Sequence, residues 1–266
     1  EVRDPSLYFM ARLADASGRA FLVWTTTPWT LPANVALAVH PDLTYVEVEH
    51  EGRGLVLVES RARAIFGDDV VFSRTYAARE LVGTAYTRPF DIVPADATPK
   101  AWTVIAEDFV TADDGTGIVH LAPAFGSDDY NAGQRHNLPM LRPIDDAGKF
   151  HEGIPLVEGQ FVKEADHVLL ADLSARGLVF KYSLEAHSYP HCRRCSSALI
   201  YMARDSSYIR TTAMKDTMLE NNARVSWHPP EMGTGRFGEW LEGNVDWAIS
   251  RERYWGTPLP AWVCTT

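Results

Sequence analysis

Short apolar runs with strand-like alternation dominate the first half of the chain. Residues 45–49 alternate apolar and acidic side chains, 51–54 have the composition of a turn, and 55–58 are apolar, which together predict a β-hairpin. Other β-branched or aromatic runs predict three further strands, at 21–24, 102–106 and 118–121. Many short strands with few helices indicate a barrel-like or mixed β core between about residues 7 and 125.

Helical periodicity begins later in the chain. Residues 164–176 have apolar side chains at helical spacing and are followed by Gly177, a residue type that often ends helices. Ser127 is predicted to cap a helix whose first turn carries Asp128 and Asp129, because acidic side chains are favoured there. Two more helices are predicted at 213–223 and 234–242. The whole pattern predicts an α+β fold, a β-barrel-like domain with peripheral helices.

The composition changes near residue 185 and suggests three parts. We expect a β-rich domain at 1–185, a small cysteine-containing segment at 186–200 and a mixed segment at 201–266. With 46% hydrophobic residues the chain can bury a sizeable core. No apolar run approaches the roughly 18 residues of a membrane span, and the first residues do not resemble a signal peptide. We therefore expect a cytoplasmic protein with no membrane partner, and the missing initial Met predicts a piece of a longer protein.

Charge and cysteine usage narrow the classes of function. A formal net charge of −10 argues against broad, non-specific adhesion to nucleic acid, so any such contact should be local. Three cysteines are too few for a disulfide framework. Cys192 and Cys195 have the spacing of half a zinc site, with His187 and His191 nearby. The alternative is a pair of structural thiols.

A threonine-rich loop follows the predicted strand 21–24. Its polar side chains are Thr25, Thr26, Thr27, Thr30 and Asn34. In many proteins such hydroxyls only satisfy the backbone of a turn. Here Pro28 and Pro32 fix φ and hold the hydroxyls in place, which suits a site that orients a water molecule or an ester. The residues alone leave both interpretations open.

A glycine-rich turn precedes the second polar cluster. Gly115 and Gly117 permit a close backbone approach, and His120 follows on the same strand face as Ile118. A histidine there is either a satisfied core residue or an acid–base group, since its titration range suits that role. Asp129 is either a partner of the helix dipole or a carboxylate that binds the ammonium group of an amino-acid substrate.

Segments 24–34 and 115–129, in this order, resemble the editing insertion (CP1) of class I aminoacyl-tRNA synthetases for isoleucine, valine and leucine. The isoleucyl family is favoured because Thr27 stands where the relatives usually carry Arg, and His120 agrees. Residues 247–260 resemble the segment by which these enzymes re-enter their nucleotide-binding catalytic domain. The sequence contains no H-I-G-H or K-M-S-K-S signature, so this chain is not expected to activate amino acids by itself.

The resemblance implies post-transfer editing, the hydrolysis of mischarged Val-tRNA(Ile), within a parent that ligates isoleucine to tRNA(Ile) using ATP. The implied partners are the tRNA(Ile) 3′ end with its valyl ester and the rest of the synthetase. Editing itself would need no cofactor. The implied catalytic residues are Thr26, Thr27 and Asp129. The implied substrate-binding residues are Thr25, Trp29, Thr30, Asn34, Gly115, Thr116, His120 and Asp129. Asp129 would bind the α-ammonium group, and His120 would limit the size of the pocket.

Zinc binding and three alternative functions stay open at this point. In the resembling synthetases the complementary cysteine pair precedes the insertion, so Cys192 and Cys195 would be a half site, with zinc possible in the full-length parent. Cys264 resembles the first ligand of a further knuckle, so both chain ends are expected to lie inside a longer protein. The alternatives are a non-catalytic zinc-stabilised RNA-binding module, a metal-dependent hydrolase using His187, His191 and the cysteines, or the editing domain of the valyl or leucyl relatives.

Overall fold

A computed structural model describes residues 2–96, 98–251, 256–258, 262 and 264. The chain forms two compact units, Glu1–Ala203 and Arg204–Thr266. The cysteine-containing segment 186–200 belongs to the first of them.

The described residues of the first unit contain one curled, half-barrel sheet of nine strands. The strands are β1 Val2–Arg12, β2 Ala20–Thr25, β3 Ala36–Val39, β4 Thr44–His50, β5 Arg53–Val58, β6 Phe72–Ala77, β7 Val104–Ala106, β8 Ile118–Leu121 and β9 Val179–His187. They are ordered β6-β4-β5-β2-β8-β3-β7, and β1 pairs with both β2 and β9. The predicted α+β, barrel-like fold is confirmed.

Helices lie in the connections between these strands. They are the 3-10 helix Pro28–Ala33 and the α-helices α1 Glu59–Phe66, α2 Ala78–Leu81, α3 Ser127–His136 and α4 Val162–Ala175. Helix α4 confirms the prediction for 164–176, and Gly177 follows it with φ +62°, a conformation that favours glycine. The predicted cap of α3 is wrong, because Gly126 holds the cap position and Ser127 is already helical.

Two predicted strand regions differ in how well they match. The hairpin β4/β5 is confirmed, and Glu51 and Gly52 form its turn with φ +49° and +77°, the left-handed values that match the twist of a two-residue hairpin. The strand predicted at 102–106 begins only at Val104. Trp102 has φ +54°, which is incompatible with extended backbone, so the strand cannot start there.

Strand β2 positions the later polar residues. Near its start it pairs in parallel with β5, and near its end Trp24 pairs in parallel with Val119 of β8. Phe21, Leu22 and Val23 are fully buried, because both faces of this strand are covered. Two parallel neighbours end at the same edge of a sheet, so the threonine loop after β2 lies beside the residues that end β8.

The second unit is small. Its elements are the 3-10 helix Thr211–Met214, the helices α5 Lys215–Arg224, α6 Glu231–Thr234 and α7 Arg236–Glu242, and the antiparallel strands β10 Tyr208–Ile209 and β11 Trp247–Ala248. The helix predicted at 213–223 therefore starts at Lys215. The helix predicted at 234–242 corresponds to α7, which starts at Arg236 after Gly235, and the short helix α6 precedes it. Residues 252–255, 259 and 260 of the motif at 247–260 lie outside the described residues.

None of the helices among the described residues combines the length and the apolar character that crossing a membrane requires.

Candidate functional site

The threonine loop carries a connected set of hydroxyl groups. Strand β2 ends at Thr25, whose Oγ1 accepts the Thr27 N–H at 3.1 Å and lies 3.4 Å from Thr27 Oγ1. Thr27 Oγ1 in turn lies 3.3 Å from Thr30 Oγ1. Thr25 and Thr30 are buried, whereas Thr26 and Thr27 are partly exposed. We call the hydroxyls of Thr25, Thr27 and Thr30 the threonine network.

Strand β8 brings His120 onto this network. Its Nε2 lies 3.0 Å from Thr30 Oγ1. The Thr30 hydroxyl has one hydrogen, which it donates to the Thr27 carbonyl at 2.8 Å, so the ring must donate Nε2–H to Thr30. Nδ1 is then the unprotonated ring nitrogen. It is buried and has no hydrogen-bond partner among the described residues.

Burial also fixes the charge of His120. Desolvation lowers the pKa of His120 to about 4, because a charged ring is disfavoured away from water. The ring is therefore neutral at pH 7. A neutral, immobilised ring with an inward N–H donor suits shaping of a pocket better than proton transfer.

The turn before β8 presses closely on β2. Gly115 and Gly117 have φ +60° and +72°, and a Cβ on Gly115 would lie 2.5 Å from the ring of Trp24. Both the conformation and the contact require glycine. Thr116 between them is buried and donates its hydroxyl to the Ile118 carbonyl at 3.3 Å. These residues hold the start of β8 against the end of β2.

Asp129 stands in the first turn of α3 and is half-buried. Its Oδ2 accepts the N–H of Ala122, two residues beyond His120, at 2.8 Å. Burial is the main cause that raises the pKa of Asp129 to about 6; the Ala122 N–H opposes the rise and the nearby charge of Asp128 adds to it. At pH 7 most of this carboxyl is ionised, so it offers a partly desolvated anion that an ammonium group can pair with.

Two other predicted site residues have contacts inside the protein. The ring of Trp29 packs edge-on against Phe125, with centroids 4.9 Å apart, and joins the threonine loop to the loop after β8. Asn34 is buried; its Nδ2 donates to the Ala36 carbonyl at 3.1 Å, and Tyr86 donates its hydroxyl to Asn34 Oδ1 at 2.6 Å. The Asn34 amide thus stabilises the end of the threonine loop through hydrogen bonds inside the protein. Its predicted contact with substrate stays a prediction.

Asp166, a buried carboxylate on α4, is not among the site residues predicted from the sequence. Its Oδ1 accepts the Trp29 N–H at 2.8 Å, and only 5% of the residue is exposed. Burial raises the pKa of Asp166 to about 7. A signal was present, because Asp166 precedes Leu169 and Leu173 by three and seven residues and so shares their buried helix face. Charged residues are rarely buried without a partner.

The cysteine pair lies in a tight turn. The Ser196 N–H donates to the Cys192 carbonyl at 2.9 Å, and hydrogen bonds with Ser197 lower the pKa of Cys195 to about 7. The described residues contain no group of three or more His, Cys, Asp or Glu side chains placed to hold a metal ion. The side chain of His187 lies outside the described residues. Two thiols are two donors short of a closed zinc site, so these residues by themselves do not fit the metal.

We expect this chain to bind zinc weakly or not at all, because two thiolates hold the ion in only half of its tetrahedral shell. Elemental analysis after dialysis against EDTA measures this, with the double variant Cys192→Ser/Cys195→Ser as the control. One zinc per chain that survives EDTA and is lost in the control would contradict the expectation and favour a metal-dependent alternative.

Similar proteins identify the family. The family described as tRNA synthetases class I (I, L, M and V) matches residues 17–266. The isoleucine–tRNA ligase of Bacillus thuringiensis (strain Al Hakam) is 47% identical over 263 residues, which cover 99% of this chain and 25% of that protein. The isoleucine–tRNA ligase of Streptomyces avermitilis is 48% identical over 265 residues, which cover 98% of this chain and 25% of that protein. The chain thus spans about a quarter of the length of these relatives.

Solved structures agree at the level of the fold. The structure of GlLeuRS-CP1 has a TM-score of 0.51 at 14% identity and covers 69% of this chain and 99% of that one. The editing domain of the P. knowlesi cytosolic leucyl-tRNA synthetase has a TM-score of 0.50 at 10% identity, and the match covers 68% of this chain and 96% of that one. At these identities the likeness concerns the fold alone. Together with the family match over residues 17–266, it confirms the resemblance: the chain belongs to the class I tRNA synthetases of the isoleucine, leucine, methionine and valine group.

Proposed function

We propose that this chain is the editing region of an isoleucyl-tRNA synthetase and that it hydrolyses the ester of Val-tRNA(Ile). The observation that carries the proposal is the threonine network, joined to neutral His120 at the shared end of two parallel strands. The carboxylate of Asp129 accepts a hydrogen bond from the backbone N–H of Ala122, two residues beyond His120. The 47% and 48% identity to isoleucine–tRNA ligases supports the choice of amino acid and tRNA.

The need for such a site is energetic. A pocket that accepts isoleucine rejects valine, which lacks one methylene, by only about 1–3 kcal/mol, a limit for which isoleucyl-tRNA synthetases are themselves the standard example. Mischarged tRNA is therefore formed and has to be hydrolysed. A second site that admits valine and excludes isoleucine by size supplies the missing discrimination.

Each group has a role in this hydrolysis. Asp129 binds the α-ammonium group of the valyl ester and so places the ester carbonyl. The hydroxyl of Thr26 and those of the threonine network orient the ester and a water molecule, and the ribose hydroxyl of the substrate assists. Water attacks the carbonyl carbon, and backbone N–H groups stabilise the oxyanion. The ester C–O bond then breaks, so that valine leaves as the acid and the ribose oxygen takes up a proton.

The decisive experiment measures valine release. Val-tRNA(Ile), Ile-tRNA(Ile) and Thr-tRNA(Val) are incubated with this chain and with the parent enzyme. We expect hydrolysis of the first substrate, none of the second, and no preference for the third, which a valyl-type editing domain would hydrolyse. Binding of tRNA without hydrolysis would instead support an RNA-binding module. Complete inhibition by EDTA would support a metal-dependent hydrolase.

The rate should follow the ionisation of Asp129. Because the carboxyl must be charged to bind the ammonium group, kcat/KM for Val-tRNA(Ile) should fall about tenfold per pH unit below pH 6, the pKa of Asp129. It should fall again above about pH 8, where the substrate ammonium loses its proton. His120, with a pKa of about 4, adds no inflection between pH 5 and 8. An inflection between pH 5 and 8 that disappears in His120→Ala would show that His120 titrates in the reaction and would contradict its role as a neutral residue.

A further inference from the structure

The start of the 3-10 helix leaves one backbone donor without a local partner. Pro28 has no N–H, and the Thr30 N–H donates to the Thr27 carbonyl at 3.0 Å. The Trp29 N–H is the remaining donor of this turn. Thr27 holds the cap position, where a threonine hydroxyl ordinarily accepts such an N–H, but its side chain makes no cap bond and its φ and ψ are −129° and 68°.

A carboxylate from a distant helix provides the missing acceptor. Asp166 Oδ1 of α4 accepts the Trp29 N–H at 2.8 Å, across 137 residues of sequence. Trp29 is 3% exposed and Asp166 is 5% exposed, so this hydrogen bond is shielded from solvent. A buried bond of this kind is costly to lose, because the N–H would stay unsatisfied.

We propose that Asp166 is a positioning residue of the hydrolytic site, which acts by capping the 3-10 helix in place of Thr27. The inference rests on the proposed function. Since Asp166 occupies the Trp29 N–H, the Thr27 hydroxyl is released from its ordinary capping role and joins Thr25 and Thr30 in the threonine network. Without Asp166, the Thr27 hydroxyl would turn toward the Trp29 N–H, because a local side chain competes for any free backbone donor.

The variants separate this role from a general effect on folding. Asp166→Asn keeps the size of the side chain and an oxygen that can accept the Trp29 N–H, so we expect valine release from Val-tRNA(Ile) to stay within about threefold of wild type. Asp166→Ala removes the acceptor, and kcat should fall about 10- to 100-fold, the loss that a displacement of about 1 Å can cause. KM should stay within about twofold, because the proposed role of Asp166 is to act through the Thr27 hydroxyl and not on the substrate directly.

A double-mutant cycle tests the route through Thr27. If Asp166 acts by freeing the Thr27 hydroxyl, the double variant Asp166→Ala/Thr27→Val should be no slower than Thr27→Val alone. Additive losses would overturn the proposal, and so would an Asp166→Ala variant as active as wild type. Both outcomes would contradict only the role of Asp166; hydrolysis of Val-tRNA(Ile) by the wild-type chain would still support the proposed function.

A second measurement does not depend on activity. In nuclear magnetic resonance spectra, the Trp29 amide should be protected from hydrogen exchange in wild type and in Asp166→Asn. In Asp166→Ala the Thr27 side-chain signals should shift, and the Trp29 amide should exchange fully only in the double variant. Unchanged Thr27 signals in Asp166→Ala would overturn the proposal. Absence of valine release by the wild-type chain would contradict the proposed function alone, because these spectra report the capping directly.

Discussion

Replacement of Asp129 by alanine is expected to abolish hydrolysis of Val-tRNA(Ile) while leaving the fold intact. Asp129 is the carboxylate at the start of α3, and losing a charge-assisted pair with the substrate ammonium costs about 1.5–3 kcal/mol or more. That is a rate loss of at least about 10- to 100-fold, before any effect of misplaced ester geometry. Initial rates of valine release, with thermal unfolding as a check of the fold, measure the effect.

Asp129→Asn is the matched control for this loss. The alanine variant also removes the acceptor of the Ala122 N–H, whereas asparagine keeps an oxygen for that bond and loses only the charge. Both variants should be inactive. Burial raises the pKa of Asp129 to about 6, so the folded state is stabilised by the neutral carboxyl at low pH and loses this stabilisation as the pH rises through 6. At pH 7.5 the free energy of unfolding of Asp129→Asn should therefore be no lower than that of wild type. Unchanged hydrolysis in both variants would refute the role of Asp129.

Replacement of His120 by alanine is expected to create hydrolysis of Ile-tRNA(Ile) and to keep most hydrolysis of Val-tRNA(Ile). The ring is buried and neutral at the end of β8, where it can occupy the space that one extra methylene needs. Steric exclusion discriminates against a larger side chain where attraction cannot. Removal of the ring enlarges the pocket and leaves Asp129 in place. Parallel assays of the two charged tRNAs measure the change in specificity.

His120→Phe distinguishes size from hydrogen bonding. Phenylalanine keeps a ring but cannot donate to Thr30 Oγ1, which receives the His120 Nε2–H at 3.0 Å. If ring volume alone excludes isoleucine, this variant should still reject Ile-tRNA(Ile). If His120→Ala and His120→Phe both lose all activity on the valyl ester, the histidine is needed for the reaction itself, and its role as a size filter is wrong.

The local elements could be predicted because their periodicity is local. Alternation of apolar and acidic residues at 45–49 predicted the hairpin β4/β5, and apolar residues at helical spacing predicted α4. Each pattern places apolar side chains on one face of a regular element. The errors concerned single residues at the ends of elements. Trp102 shortens β7 through a positive φ, and Gly126 displaces Ser127 from the cap of α3.

Sequence by itself determined the barrel-like fold class and, through the two motifs, the synthetase family. It also selected Thr27, Thr30 and His120 as candidates, whose catalytic and binding roles stay predictions. Only the tertiary structure decided that the ring of His120 donates to Thr30 and that Asp166 caps the helix of the threonine loop. These bonds join residues 90 and 137 positions apart. Periodicity reports which face of an element is buried, but the partner of a buried polar group depends on how the whole chain brings its strands and helices together.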